Sequence, residues 1–339
     1  MSAPAPTVLI GFGMIGAGLA DDRKMATYFD YASHAQVLRD HPGFEWQAVV
    51  DPAPAAQAAA RDWGVPVVAA DIHELPANLH PKVAVLACGP GPRAAILAAL
   101  SGIKLAIVEK PVGIDGATAA QLMADCAARK IAVQVNLFRR ADATTRALAA
   151  GGLVDRIGDV QAIFGVYGNG VHNNAVHMID LIRLLAGEVV AVQALGPVSP
   201  QANAPIANDG NVAFALTLDN GVIAALQPVD FTHYREVGLD IWGTAGRLEV
   251  MQEGLVMRAA PRAKHRALDN AFEVATDAAQ PLENTYGRAL YAMYENAAAH
   301  LCHGETLVSP GESALINELI VDAIAASAAT DGARIRLGG

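Results

Sequence analysis

The feature that most constrains this chain is Gly11-Phe-Gly13-Met-Ile-Gly16, set directly behind the apolar run Thr7-Val-Leu-Ile10. A G-x-G-x-x-G at the end of a strand permits a tight turn and lets backbone N–H groups approach a pyrophosphate at a helix N-terminus. Gly11, Gly13, Met14, Ile15 and Gly16 are therefore candidate cofactor-binding residues. The rest of the first half fits such a setting. Trp46-Gln-Ala-Val-Val-Asp51, Val83-Ala-Val-Leu-Ala87, Leu105-Ala-Ile-Val-Glu109 and Ala132-Val-Gln-Val-Asn136 are short, continuous apolar runs. Alanine-rich, helix-like stretches at 53–63, 93–100 and 118–130 lie between them. Strands that are apolar on both faces and alternate with helices predict βαβ units, an α/β doubly wound parallel sheet covered on both sides.

The second half reads differently. Val176, Ile179, Leu181, Ile182, Leu184 and Leu185 mark a strong helix over 175–186, stopped by Gly187. Strand-like runs follow at 189–194, 211–218, 222–228, 237–242 and 247–250, with the hairpin signal Asp219-Asn-Gly221 between two of them. This predicts an α+β second domain with a largely antiparallel open sheet, closed by helices over 286–301 and 312–329. A length of 339 residues is too much for most single cores, so two domains are expected. The expected division is a cofactor domain over 1–135 and a substrate and oligomerisation domain over 136–339.

Composition excludes several classes. The chain carries 24 Lys+Arg against 34 Asp+Glu, a formal charge of −10, which argues against a general nucleic-acid binder. No run reaches the roughly 20 uninterrupted apolar residues of a membrane-spanning helix. Cys88, Cys126 and Cys302 are odd in number and widely spaced, which excludes a disulfide scaffold or a four-cysteine zinc site and fits a reducing compartment. Met-Ser-Ala-Pro-Ala-Pro at the start has neither the basic nor the apolar part of a signal peptide. The expectation is a cytoplasmic protein.

Asp51 ends the second apolar run, where a carboxylate meets the adenosine ribose hydroxyls; its charge favours NAD over NADP. From Gly16 to Asp51 is 35 residues, against about 20 in the usual pattern. Residues 21–41 therefore read as an inserted loop before or within the first helix. The alternative for Asp51 is an ordinary strand-end carboxylate capping a turn. Glu109-Lys110-Pro111 also ends a strand, where ligands of open α/β sheets gather, and Lys110 can orient a nicotinamide ribose or a substrate hydroxyl. Its alternative is a surface lysine before a loop. In His172-Asn173-Asn174-Ala-Val-His177-Met-Ile-Asp180, His177 is a candidate general acid/base. Asn173, one turn earlier, can hydrogen-bond a substrate hydroxyl or cap the helix, and Asp180, one turn later, can orient His177. A packed helix histidine is the plainer alternative. His172 and His177 are five apart, not the i, i+4 of a helical metal pair, so no metal is expected.

Taken together, GFGMIG, VVD, VEKP and HNNAVHMIDLIRLLAGE, in this order and spacing, resemble the Gfo/Idh/MocA family of sugar-type oxidoreductases. The resemblance covers most of the chain. It implies an N-terminal Rossmann domain and a C-terminal α/β domain whose open sheet makes homo-oligomer contacts. It also implies NAD(P)-dependent hydride transfer at a carbinol or keto carbon of a sugar, cyclitol or nucleotide sugar. The family's lysine falls on Lys110 and its helix histidine on His177. Its usual Asp four residues before that histidine is here Asn173. A second departure is Gly89-Pro-Gly-Pro-Arg93, where many members have a proline-rich turn followed by His. Arg139 and Arg140 match a strand-end segment with a basic residue and are candidates for an anionic substrate group, with Tyr167 and Asn174 as further candidate substrate contacts. A second reading keeps the Rossmann site but turns nothing over: a cofactor-binding sensor or regulatory protein of the same fold.

Overall fold

The computed structural model describes residues 3–200, 205–206 and 209–338. It divides into two compact units, Met1–Asp142 with Gly287–Ile316, and Ala143–Tyr286 with Asn317–Gly339.

The first unit holds six parallel strands, β1 (Ala5–Ile10), β2 (Phe44–Val50), β3 (Val67–Ala69), β4 (Val83–Leu86), β5 (Leu105–Val108) and β6 (Ala132–Val135). Their order is 3-2-1-4-5-6, that of a doubly wound dinucleotide-binding sheet. Successive side chains of one strand enter two different cores: Val8, Ile10, Leu86 and Val108 on one face, Leu9, Val49, Val85 and Ile107 on the other. Burial on both faces is what the continuous apolar runs encode. The helices are α1 (Met25–Tyr28), α2 (His34–Asp40), α3 (Pro54–Asp62), α4 (Arg93–Ala99) and α5 (Gly116–Ala128).

The second unit contains α6 (Ala143–Ala147), α7 (Leu153–Ile157), β7 (Val160–Tyr167), α8 (Val176–Ala186) and β8 (Val189–Ala194). The short pair β9 (Ser199–Pro200) and β10 (Gly210–Asn211) follows, then β11 (Phe214–Leu218), β12 (Ile223–Pro228), β13 (Gly238–Gly243) and β14 (Gly246–Met251). Next come β15 (Val256–Lys264), β16 (Phe272–Val274) and β17 (Gln280–Pro281). After α9 (Ala289–His303), which belongs to the first unit, come α10 (Gly311–Ala329) and β18 (Ile335–Arg336). The large sheet runs β16-β15-β14-β13-β7-β12-β11-β8-β18, with β17 beside β15. Among the described residues only the β7–β12 pair of this sheet is parallel. One core joins Ile163, Tyr167, Phe214, Leu216 and Leu226 of the sheet to Ile179 and Ile182 of α8 and Ile320 and Ile324 of α10.

This is the expected α/β class with a largely antiparallel second sheet, and the Asp219–Gly221 turn joins β11 to β12 as a hairpin. Several details differ from the sequence reading, β3 and β15 being strands it did not expect. The central strand β7 was not foreseen, because Gln161 and Gly165 of Val160-Gln-Ala-Ile-Phe-Gly-Val-Tyr167 fall on the face that carries Ile163 and Tyr167 into the core, while the other face is apolar and exposes Phe164. Residues 21–41 are not a plain loop: α2 lies among them, capped by Ser33 in a reciprocal box with Gln36. The division falls after Asp142 rather than 135, and residues 287–316 return to the first unit. There Leu290, Met293, Tyr294 and Ala297 of α9 fill the core that also holds Val37 and Leu38 of α2.

Candidate functional site

In the first unit the glycine turn lies at the carboxyl end of β1. Gly11 has φ +92°, and a Cβ there would lie 2.8 Å from the carbonyl of Ala87. A Cβ on Gly16 would lie 2.4 Å from the Gly11 oxygen. Gly13 differs, since a Cβ there would meet nothing within 4 Å. Two glycines are thus demanded by packing, while the middle one keeps an open approach to the backbone, as a pyrophosphate requires. The residues present fit a dinucleotide.

The turn does not run straight into a long helix. Ala17 and Gly18 donate to the Gly13 carbonyl at 2.9 and 3.0 Å, and a short 3₁₀ turn, Gly18–Asp21, follows. The first N–H groups of α2 are taken by the turn itself: His34 donates to Ile15 at 3.1 Å and Ala35 to Gly16 at 2.8 Å. The excursion therefore leaves and returns, and α2 covers the sheet where the first helix of such a fold belongs.

Asp51, just beyond β2, is buried. Its Oδ2 accepts the Phe12 N–H at 2.7 Å and its Oδ1 the Ala53 N–H at 2.8 Å. A carboxylate offers about four acceptor sites, so two remain for a ribose.

At the end of β5, Glu109 is buried in a chain of side chains. His34 Nε2 donates to Glu109 Oε1 at 2.9 Å, and Asn136 Nδ2 donates to the same oxygen at 2.5 Å. The carboxylate can only accept, which puts the ring proton on Nε2 and lets Nδ1 accept the Tyr294 hydroxyl at 2.6 Å. Burial pushes the Glu109 pKa up, but the hydrogen bond from His34, with Asn136 and nearby Lys110, outweighs it and holds the group below the ordinary glutamate range. Glu109 is thus an anchor under Lys110. Pro111, joined to Lys110 by a cis peptide, is held by Arg93. The buried Arg93 guanidinium donates to the carbonyls of Pro111, Val112 (3.2 Å) and Cys88 (2.6 Å). Arg93 occupies the second place where the sequence departs from the resemblance, and here it is structural. Arg139 and Arg140, just after β6, are also buried, and Arg139 stacks on Phe138 at 5.4 Å.

In the second unit, residues 171–175 form one π-helical turn that leads into α8. Half-buried Asn173 and His177 lie one turn apart on this continuous stretch, and Asp180 is buried one turn on. Asn317 Nδ2 donates to Asp180 Oδ1 at 2.8 Å, tying it to α10. Two expectations need correction. Tyr167 is 0% exposed, and its hydroxyl donates to the Val212 carbonyl at 2.5 Å and accepts the Val212 N–H at 2.9 Å. It sits in the core, with its hydroxyl engaged by the Val212 backbone. Asn174 is buried and its amide donates to Gly168 O at 2.8 Å, which makes it a loop brace.

Sequence reasoning missed His34, Arg93 and Asp209. Asp209 accepts the N–H groups of His172 at 3.1 Å and Asn173 at 2.8 Å. No local signal points to His34 or Asp209, whose partners lie far away in the chain, and Arg93, though it ends the departing Gly89–Arg93 segment, also reaches Pro111 and Val112, 18 and 19 residues on.

Fold order, glycine turn and strand-end lysine together define a dinucleotide-binding oxidoreductase. Residues 10–137 match the oxidoreductase family with an NAD-binding Rossmann fold, and residues 157–249 match the Gfo/Idh/MocA C-terminal domain. The chain belongs to the Gfo/Idh/MocA family. No curated protein matches by sequence. Among solved structures, a levoglucosan dehydrogenase in complex with NADH and levoglucosan is 20% identical, with 99% of each chain covered and a TM-score of 0.75. The WlbA dehydrogenase from Bordetella pertussis, in complex with NADH and UDP-GlcNAcA, is 18% identical over 99% of each chain at 0.74. An oxidoreductase from Agrobacterium radiobacter, in complex with NAD+, L-tartaric acid and magnesium, is 16% identical over 98% of each chain at 0.73. At these identities the likeness is one of fold.

Proposed function

We propose that this chain is an NAD-dependent dehydrogenase or reductase acting at a carbinol or keto carbon of a sugar, cyclitol or nucleotide sugar. The observation that carries this reading is the glycine turn whose middle member is open, at the end of β1 in a 3-2-1-4-5-6 sheet. The open backbone at Gly13, with Met14 and Ile15, receives the pyrophosphate, and Asp51 receives the adenosine ribose. An NAD held by these residues would supply the hydride acceptor or donor. Lys110, set on the Glu109 anchor, donates to the substrate oxygen and stabilises charge there. His177 takes the hydroxyl proton during oxidation and gives it back during reduction, and Asn173 hydrogen-bonds the substrate.

Absorbance at the nicotinamide band, with NAD or NADH and a panel of sugars and nucleotide sugars, tests this. Turnover of at least one member is expected, and His177→Ala should lower it by about 10²–10⁴-fold with cofactor binding intact. Cofactor binding with no turnover of any member would favour the sensor reading instead.

Homo-oligomerisation through the large sheet belongs to the same proposal. Its outer face carries Phe164 and Ile223, 55% and 56% exposed, with Trp242 on the neighbouring strand β13. Phe164→Asp should lower the mass measured by light scattering, and an unchanged mass would remove this face. A cytoplasmic location goes with it: no disulfide joins Cys88, Cys126 or Cys302 among the described residues, which fits a reducing compartment. Among the described residues no helix is long and apolar enough to cross a membrane.

A further inference from the structure

The segment that carries Asn173 and His177 is held from a distant strand. Asp209, the residue before β10, is 5% exposed. Its Oδ1 accepts the His172 N–H at 3.1 Å and its Oδ2 the Asn173 N–H at 2.8 Å. Two residues on, Asn211 Oδ1 accepts the Gly170 N–H at 2.8 Å. Gly170 has φ +99°, and a Cβ there would lie 1.9 Å from Asp209 Oδ2. Only glycine leaves room for the carboxylate against the chain. Residues 170–173 are therefore gripped by two side chains, one just before a two-residue strand and one at its end.

We propose that Asp209 is a positioning residue for His177 and Asn173, its two carboxylate oxygens fixing the backbone from which α8 takes its direction. This rests on the reading of His177 as the proton carrier. Asn173 has only one acceptor oxygen, whereas Asp209 takes two successive N–H groups at once and brings a negative charge to a helix start, where it is favourable. The charge is also matched. His172, at the same turn, has Nδ1 3.8 Å from Glu318 Oε2. Burial opposes protonation of His172, yet Glu318, Asp209 and Asp322 together raise its pKa. A segment held this way does not drift. The gain for a proton carrier is positional, since a misplacement of about 1 Å can cost about 10²-fold in rate.

The test combines variants of the whole protein with NADH affinity and turnover. In Asp209→Ala, kcat should fall about 10²-fold with the NADH dissociation constant unchanged. Asp209→Asn keeps one acceptor but aims an N–H at the other donor, so its kcat should lie between the two. If Asp209 acts through His177, adding Asp209→Ala to His177→Ala should cost nothing further, because residues acting as a unit are non-additive. Full kcat in a folded Asp209→Ala would overturn the proposal, and so would additive losses in the double variant. Should Asp209→Ala fail to fold, Asp209→Asn carries the same comparisons. If the wild type turns nothing over, the proposed function fails, and Asp209 is judged on the His177 ring signal by NMR. That signal should shift or broaden in Asp209→Asn, and an unmoved signal would overturn the assignment.

Discussion

Phe12 donates its backbone N–H to the Asp51 carboxylate at 2.7 Å across 39 residues, joining the ends of β1 and β2. The turn that follows β1 thus depends on the acid that follows β2. Asp51→Ala removes the acceptor of two N–H groups, each bond to a charged group being worth about 1.5–3 kcal/mol, together with the charge expected to reject a 2′-phosphate. NADH binding, followed by fluorescence, should weaken by about tenfold or more, 1.4 kcal/mol being tenfold. The ratio of NADPH to NADH affinity should rise. An unchanged ratio would separate Asp51 from the ribose and leave it a turn brace.

The three glycines of the turn should fail in different ways. Gly13 has φ outside the left-handed region and an open Cα, so Gly13→Ala should leave the melting temperature of the apoprotein unchanged and weaken NADH binding. Gly16→Ala must displace the Gly11 carbonyl 2.4 Å away and should destabilise the protein by about 1–3 kcal/mol even without cofactor. Thermal unfolding of both apoproteins, alongside NADH titration, checks the pair. Equal stability losses would mean that the open side of Gly13 has no bearing on a ligand.

Much of this was legible in the residues. The strands β1, β2, β4, β5 and β6 read out because burial on both faces leaves each as a largely apolar run, interrupted in β2 and β6. The 189–194 strand matched β8 end to end, and α8 was visible through its apolar periodicity. What stayed hidden has a common physical cause. β7 carries Gln161 and Gly165 on its inner face and apolar residues on its outer one, so neither alternation nor a continuous run marks it. His34, Arg93 and Asp209 act on partners 75, 18 to 19, and 36 to 37 residues away, and no spacing rule links such pairs. Tyr167 and Asn174 misled for the opposite reason: polar atoms beside a suggestive segment look like site groups until their hydrogen bonds are seen to be spent internally.

Tyr167→Phe tests that last distinction. It deletes a hydroxyl that serves both backbone groups of Val212, leaving a buried N–H and C=O without their partner. Stability should drop by about 1–3 kcal/mol, read by urea unfolding, while KM for substrate stays where it was. A raised KM at unchanged stability would return Tyr167 to the substrate set.

The His34–Glu109 pair predicts a pH signature. Glu109 has a folded pKa below its unfolded value, which is about 4.3. The stability it contributes is therefore fully present above that unfolded value and is lost as pH falls through the folded one. His34→Ala removes the largest favourable contribution, so burial dominates and Glu109 becomes a buried charge held by Asn136 and Lys110 alone. Breaking a buried pair in this way costs about 3 kcal/mol or more at neutral pH, and the Tyr294 hydroxyl also loses its partner. The sign then reverses. With its folded pKa raised, the variant's Glu109 takes up a proton as pH falls, and the unpaired charge disappears. The stability gap between wild type and His34→Ala should be widest near pH 7.5 and narrow towards pH 5. Urea unfolding at several pH values across that range measures it directly. A gap that stays constant or widens on acidification would mean that Glu109 is not the charge His34 supports.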